Sequence, residues 1–593
     1  MPPALAATTT GPRAAGLSSW YEQDLRSPAF IGFVGVLAVL ICAPFEATRP
    51  LVRLPGQSIT TLETVLLAAF GATAWAVVRS RSLPAWQTPL TAPGAAVLVA
   101  LTLAALFAPY ERANAIHMVC RLMLAAGLVL LTATAVTTPA RERFIMLVAC
   151  AIGVIAAVLV ALDFTRLPVG QQLLAPFRLQ TATVGSQVRA SGPFQYPTIA
   201  SMFLEIAFAC GAGLLAFAAG PRRVREASLL MAGLLLIAAA IVLTYTRAGL
   251  ITMASSLAIV AGCRIRTAGV DGAVGRLGVL AAAIAVMIPL SRSAEATRLR
   301  LTTEGQNGWY SARIDAPPRV TMAAGSRITV PVTLTNIGQV TWDSSAPQPF
   351  GFSYHWLLAD SDRVVSWEGI RSMFSEPVRP RDRVTVQAQL EAPRQPGNYR
   401  IVWDLYQEHL LWFSTEPDAE LTISAATVDG TGTGPAVEAN RLPEMPRRAS
   451  RPSRGVLWTA AWRMFTERPW LGIGPDNFRL RYGPYAGIAE PDPRVHTNNM
   501  YLELLIGGGV LAGVAVIWFS WRLIALLIFV VRSSTGGADA PAGAGVVAAV
   551  MAIALHGLVD SFLSFTATYA AMAIMVGLVV ACGRMADSHA YRV

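Results

Sequence analysis

At 593 residues, with 54% hydrophobic and only 14% charged side chains, the chain is too apolar for a soluble protein, in which about a quarter of residues are charged. The formal net charge is +11, and every basic residue is arginine because no lysine occurs. Basic loops facing the cytoplasm produce such an excess without any nucleic acid partner. Six cysteines, Cys42, Cys120, Cys150, Cys210, Cys263 and Cys582, sit in or beside apolar runs without a C-x-x-C pair. That pattern indicates neither a disulfide framework nor a cysteine zinc site.

In chain order, apolar runs long enough to cross a bilayer occur near residues 29–45, 58–78, 92–108, 114–136, 144–163, 197–219, 227–243, 248–263 and 277–292. Three more follow near 501–531, 543–563 and 567–583, about twelve in all by length and apolarity. The first run follows a polar lead with no cleavage site and reads as a retained span. Arginines at 79, 81, 141, 143, 222, 223, 225, 264, 266, 276, 532 and 584 all fall in alternate short loops. The positive-inside rule then puts both termini in the cytoplasm and the long segment before the last three runs outside. A multi-pass protein of the cytoplasmic (inner) membrane is expected.

Within that segment, residues 309–423 turn to alternating runs such as "RITVPVTLTNIGQVTW" and "GNYRIVWDLYQ", divided by turn signals at Asn336–Gly338 and Pro396–Gly397. About seven short strands with regular tryptophans predict a β-sandwich. Asn336-x-Gly338 followed by Trp342 resembles bacterial immunoglobulin-like modules. Strand alternation puts Trp342, Trp356, Trp367, Trp403 and Trp412 mostly in the core. A Gly-, Pro- and Arg-rich stretch reads as a flexible linker, and "LWTAAWRMFTERPWLGIGPDNF" as an amphipathic helix closed by a glycine turn. The expected organisation is a membrane bundle over 1–292 (about nine helices), a β-sandwich over 293–425 and a linker over 426–455. A helix and loop over 456–500 and a second bundle part over 501–593 (about three helices) complete it. The fold class is thus a mainly α polytopic membrane protein with an inserted all-β domain.

Chemistry is sought on the outer side. Arg178 and Arg189 lie in "FRLQTATVGSQVRASGPFQYPTIA", and Arg247 in "LTYTRAGL" between two apolar runs with hardly a loop. An arginine there is costly unless it faces a polar cavity or an anion. With Tyr245 and two threonines, Arg247 forms a polar island that, with Arg189, could hold a diphosphate through bidentate bonds. His496 stands in "HTNN" at the entrance of the tenth run. Asn498 and Asn499 can hold an imidazole tautomer there, and Asn499 can cap the helix. His556 and Asp560, in "LHGLVDSF", sit one turn apart on the eleventh run, where a structural pair competes with a polar cavity. Glu111 and Arg112 can pair with each other on an outer loop, and His117 reads as a core histidine. No metal is expected, since no His/Asp/Glu cluster with ligand spacing occurs in the outer segments.

The ordered set "VRASGPFQYPTIASMF" (188–203), "LTYTRAGL" (243–250), "PWLGIGPDNF" (469–478) and "HTNNMYLELLIGGGVLAG" (496–513) resembles the O-antigen ligase and polysaccharide polymerase superfamily of bacterial membrane glycosyltransferases. The span number and the large outer segment match too; the β-sandwich is additional. The resemblance implies transfer of a glycan from an undecaprenyl-diphosphate carrier to a lipid or glycan acceptor at the outer face of the cytoplasmic membrane. It further implies that Arg189 and Arg247 bind the diphosphate and that His496 is the general base. Many relatives carry H-x-H-N where this chain has His496-Thr497-Asn498-Asn499, which leaves His496 as the sole base. Arg178, Tyr245, Asn498, Asn499, His556 and Asp560 are candidate substrate contacts. No cofactor is expected, membrane lipids surround the bundle, and the sandwich is a candidate surface for an envelope partner. A repeat-unit polymerase is the first alternative. A lipid-linked sugar transporter is the second, and it predicts internal repeats that are not evident.

Overall fold

The computed structural model describes residues 26–590 except 55–56, 82, 84–85, 179–181, 185–186, 218–223, 291–293, 304–307, 347, 417–418, 431–441, 447–451, 489–490 and 534–541. The chain divides into two compact units. The first comprises residues 1–182, 188–294 and 454–593, and the second comprises 183–187 and 295–453.

The first unit is helical. Its helices are α1 (Pro28–Cys42), α2 (Thr61–Ser80), α3 (Thr91–Leu106), α4 (Arg112–Ala135), α5 (Pro139–Phe164), the short α6 (Pro168–Leu174), α7 (Pro197–Phe217), α8 (Val224–Leu243), α9 (Arg247–Ala268) and α10 (Gly272–Leu290). Among the described residues ten helices of the chain are long and apolar enough to cross a membrane, and two more apolar helices are shorter, so the twelve expected runs all appear as helices. The protein is a polytopic membrane protein with a separate β domain. Local signals set the helix starts: Thr60 and Glu63 form a reciprocal capping box on α2, and Ser27 and Thr138 cap α1 and α5 with proline at the first turn, where its missing N–H costs nothing.

α7 lies at the centre, with 94% of its apolar window buried inside the protein, against 22% for α10. It packs on α5, α8 and α9. α11 (Ala294–Thr302) straddles the boundary into the second unit, and after that unit the chain returns as α12 (Arg454–Glu467), α13 (Phe478–Ala486), α14 (Met500–Ser533), α15 (Ala542–His556) and α16 (Thr566–Ala590). α15 packs on α7 and α9, α16 on α4, and α14 on α3. The expected amphipathic helix is α12, which buries Leu457, Ala460, Ala461 and Met464 against Ile473, Phe478, Tyr482 and Ile506 and leaves Trp462 exposed.

Among the described residues of the second unit, ten strands in two sheets lie over residues 312–429, rather than about seven. Its first sheet takes β1 (Arg319–Ala323), β2 (Phe350–Leu358), β3 (Val364–Ser366), β4 (Ser372–Met373), β5 (Gly397–Gln407), β6 (Leu411–Trp412) and β7 (Thr422–Asp429) in the order β4-β2-β5-β7-β1, with β3 on β2 and β6 on β5. A smaller sheet sets the long strand Arg327–Asn336 between Arg383–Glu391 and Ala312–Asp315. The strands of the smaller sheet alternate buried and exposed residues, as a sheet covered on one face requires. β2 is buried almost continuously, because both of its faces are covered. One face meets the smaller sheet, where Trp356 donates its indole N–H to Glu391 O at 3.0 Å. The other carries Leu357 with Val364, Val402 and Met445. Trp342, Trp356 and Trp403 are fully buried as expected, whereas Trp367 and Trp412 are half-buried against His355. Asn336 closes its turn by accepting from Gly338 N and donating to Val340 O and Val378 O. Of the expected linker, Pro443–Met445 pair with Asp362–Val364; residues 431–441 and 447–451 lie outside the described residues.

Candidate functional site

Six inter-helix connections of the helical unit meet one another at one end. Thr48 N reaches Pro176 O, Ala190 N reaches Leu243 O, and Met500 N reaches Gly557 O. Asn477 donates to Tyr110 O, and the ring of Tyr196 meets Phe565. These are the six connections that the arginine pattern assigns to one side. Among the described residues, five of the eight non-glycine residues with positive φ lie here: Glu111, Arg166, Tyr245, Asp476 and Asn498. Such backbone strain of about 1–3 kcal/mol per residue persists only where surrounding contacts over-determine it, and it clusters at functional sites.

The glycines of "PWLGIGPDNF" and "LLIGGG" answer each other. α14 is broken at Gly509, whose φ is 65°, and the freed backbone pairs with the 469–474 loop. Ile473 N donates to Ile506 O, Gly474 N to Gly507 O, and Val510 N to Pro469 O. Unwound backbone in a membrane protein is tolerated where protein satisfies it, and this loop does so. A Cβ on Gly509 would lie 2.3 Å from Trp470 O, and one on Gly472 2.3 Å from Ile506 O. Gly509→Ala is therefore expected to cost about 1–3 kcal/mol in backbone strain before the clash is counted. Thermal unfolding of the detergent-solubilised protein checks this, with Gly71→Ala, a helix-interior position with open space around it, as the control whose unfolding temperature does not fall.

The broken helix brings three distant residues together. Asp476 follows the loop, His496 precedes α14, and Glu503 is in its first turn. His496 is 8% exposed and Glu503 6%. Nδ1 of His496 lies 3.9 Å from Asp476 Oδ1 and 3.8 Å from Glu503 Oε1. The second carboxylate oxygens are held elsewhere: Glu503 Oε2 accepts from Thr497 N and Oγ1, and Asp476 Oδ2 accepts from Arg479 Nε at 2.9 Å. Ser564 donates to Asp476 Oδ1 at 2.7 Å. Burial pushes the His496 imidazole toward its neutral form, but Glu503 and then Asp476 outweigh burial and hold its pKa above the usual value. Burial likewise opposes ionisation of Asp476, yet Arg479, His496 and Ser564 keep it below the ordinary carboxylate range. Asp476, His496 and Glu503 have no ligand spacing along the chain, and the fold gathers them into a group that could hold a metal ion.

Asn499 caps α14 as expected. Its Oδ1 accepts from Leu502 N at 2.9 Å while its amide donates to Leu558 O at 3.1 Å. Asn498 sits at φ 53°, a left-handed conformation in which asparagine, aspartate and histidine are enriched. Trp458 of α12 donates to Thr497 O at 2.9 Å, fixing the histidine segment from a second side.

The arginines expected to act together are brought together. Arg189 donates Nε to Thr244 O at 3.1 Å, three residues before Arg247. Half-buried Arg247 opens α9 and makes no ion pair among the described residues. Tyr245 sits between them in the turn, buried, with φ 51°. Arg178 differs: its buried guanidinium is committed to Asp163 and Gln171. Asp163 in turn accepts from Ser191 N at 2.9 Å and Gly192 N at 3.1 Å. Arg178 thereby braces the segment that carries Arg189.

His556 and Asp560 are not paired along one helix face, because α15 ends at His556. His556 Nδ1 instead lies 3.0 Å from Glu205 Oε2 of α7, and Ser201 donates to Glu205 Oε1 at 2.6 Å. Asp560 accepts from Ser561 N. In the sequence Glu205 stands out as an isolated carboxyl in the apolar run 197–219.

A family model described as O-antigen ligase matches residues 399–517. The matched stretch begins in β5 of the second unit and ends within α14, so it contains Asp476, His496 and Glu503 but neither Arg189 nor Arg247. No curated protein matches the chain.

Proposed function

We propose that this membrane protein, whose residues 399–517 carry the O-antigen ligase family signature, transfers a glycan from an undecaprenyl-diphosphate carrier to an acceptor hydroxyl at the outer face of the cytoplasmic membrane. The observation that carries the reading is His496 set against two carboxylates at the end of the bundle where Arg189 meets the Arg247 turn. Nδ1 of His496 faces the carboxylates and carries the ring proton, and Nε2 takes the proton of the acceptor hydroxyl. The acceptor oxygen attacks the anomeric carbon as the bond from that carbon to the diphosphate oxygen breaks. The electron pair leaves on the diphosphate, and Arg189 and Arg247 stabilise its growing charge through planar forks suited to phosphate. One displacement inverts the anomeric centre.

The active form carries neutral His496. Because the carboxylates raise its pKa, kcat/KM should rise with pH through a limb above the ordinary histidine value of about 6.5. Glu503→Gln removes the strongest raising group while burial still favours the neutral imidazole, so it should move the limb to lower pH. The pH profile with chelator present checks this, and a limb unmoved by Glu503→Gln contradicts it.

Deletion of the gene separates the acceptors. Full-length lipid-linked polymer accumulates if the chain is a ligase, and single lipid-linked repeat units accumulate if it is a polymerase. Normal surface glycan in the deletion strain would count against both.

A further inference from the structure

We propose that Asp476, His496 and Glu503 form a binding site for a divalent transition metal of the Zn²⁺ type, and that its occupancy switches off the histidine. The inhibitory half rests on His496 being the base; the site itself does not.

Among the described residues His496 Nδ1 and Glu503 Oε1 are buried without a hydrogen-bond partner, although they lie only 3.8 Å apart. A buried polar atom left unsatisfied costs about 1–3 kcal/mol, and one cation would satisfy both. Asp476 Oδ1, at 3.9 Å from Nδ1, is the third donor. The outer oxygens are already fixed by Arg479 and Thr497, the second-layer hydrogen bonding that orients ligating carboxylates. One imidazole with two carboxylates suits zinc or manganese better than magnesium or calcium, which take oxygen alone. Zinc bonds of about 2.0–2.2 Å put tetrahedral donors about 3.4 Å apart, so the side chains need to close by roughly half an ångström.

The chemical consequence follows from the ring. A metal on Nδ1 displaces its proton: the neutral ring then carries its proton on Nε2, and an imidazolium releases one proton to solvent. Either way Nε2 bears hydrogen and cannot accept one from a hydroxyl.

The test uses the purified full-length protein, stripped with chelator and equilibrated with micromolar Zn²⁺. One zinc per chain is expected, unaffected by excess Mg²⁺. Affinity should fall at least tenfold in Glu503→Gln and Asp476→Asn, by comparison with the 10–100-fold typical of outer-layer partners. Zinc should also raise the unfolding temperature of the wild type and not of the variants. If one variant fails to fold the other decides, and His496→Ala decides if both fail. Absence of stoichiometric zinc, or full retention by the variants, overturns the site. Zinc bound while transfer proceeds at the metal-free rate overturns the inhibition. Binding is read without substrate, so a protein that binds zinc but performs no transfer overturns the transferase reading alone.

Discussion

His496→Ala is expected to lower the transfer rate by roughly 10²–10⁴-fold, the usual contribution of a positioned general base. An ordinary carboxylate is a weaker base than an imidazole by about two pKa units. Asp476 is committed to Arg479 and Ser564, Glu503 spends one oxygen on Thr497, and Asn498 cannot accept a proton at neutral pH. Alanine leaves the two carboxylates facing one another without the imidazole between them, so some loss of stability accompanies the change. His496→Gln keeps the volume and a hydrogen-bond donor but not the basicity, and should be as inactive as alanine while unfolding near the wild-type temperature. A glutamine variant with more than a tenth of wild-type activity would place the base elsewhere.

Arg247→Ala should reduce kcat by about 10²–10³-fold, the cost of removing one donor from a developing oxyanion, and raise KM for the lipid-linked donor as well. Both effects are expected because the guanidinium meets a charge present in the ground state that grows as the diphosphate departs. Arg247→Lys should recover little, since an ammonium cannot offer the planar fork. Arg247 is the cleaner of the two arginines to test. Among the described residues its side chain holds no ion pair, whereas Arg189 also supports the turn through Thr244 O. Steady-state kinetics with a lipid-diphosphate glycan separate kcat from KM, and a lysine variant at the wild-type rate would contradict the bidentate role.

Much of this arrangement can be read from residue patterns alone. Length and apolarity locate the twelve helices, because each satisfies its own backbone in lipid and needs no knowledge of its neighbours. The cap at Asn499 is equally local. Arg189 and Arg247 stand out as charges at the ends of apolar runs, and the contact between Ala190 and Leu243 brings the two motifs together. What stays hidden depends on pairing at a distance. Asp476 reaches His496 only because the 469–474 loop replaces the helical hydrogen bonds lost at Gly509. The glycine-rich runs that make this substitution look like a turn and a helix when read separately. His556 and Asp560 mislead for a related reason: spacing of four residues means one face only while the helix continues, and α15 stops at His556. Arg178 looks like Arg189 in the chain and differs because Asp163, the carboxyl near the end of α5, takes it.

The central claim is tested most directly in proteoliposomes holding the purified full-length chain, a polyprenyl-diphosphate-linked glycan and a hydroxyl acceptor, with release of free polyprenyl diphosphate as the measured quantity. Acceptor-dependent release, one diphosphate for each glycan transferred, is expected from the wild type and not from His496→Gln. Equal release from the two proteins, or release by neither while glycan still reaches the acceptor, would contradict it.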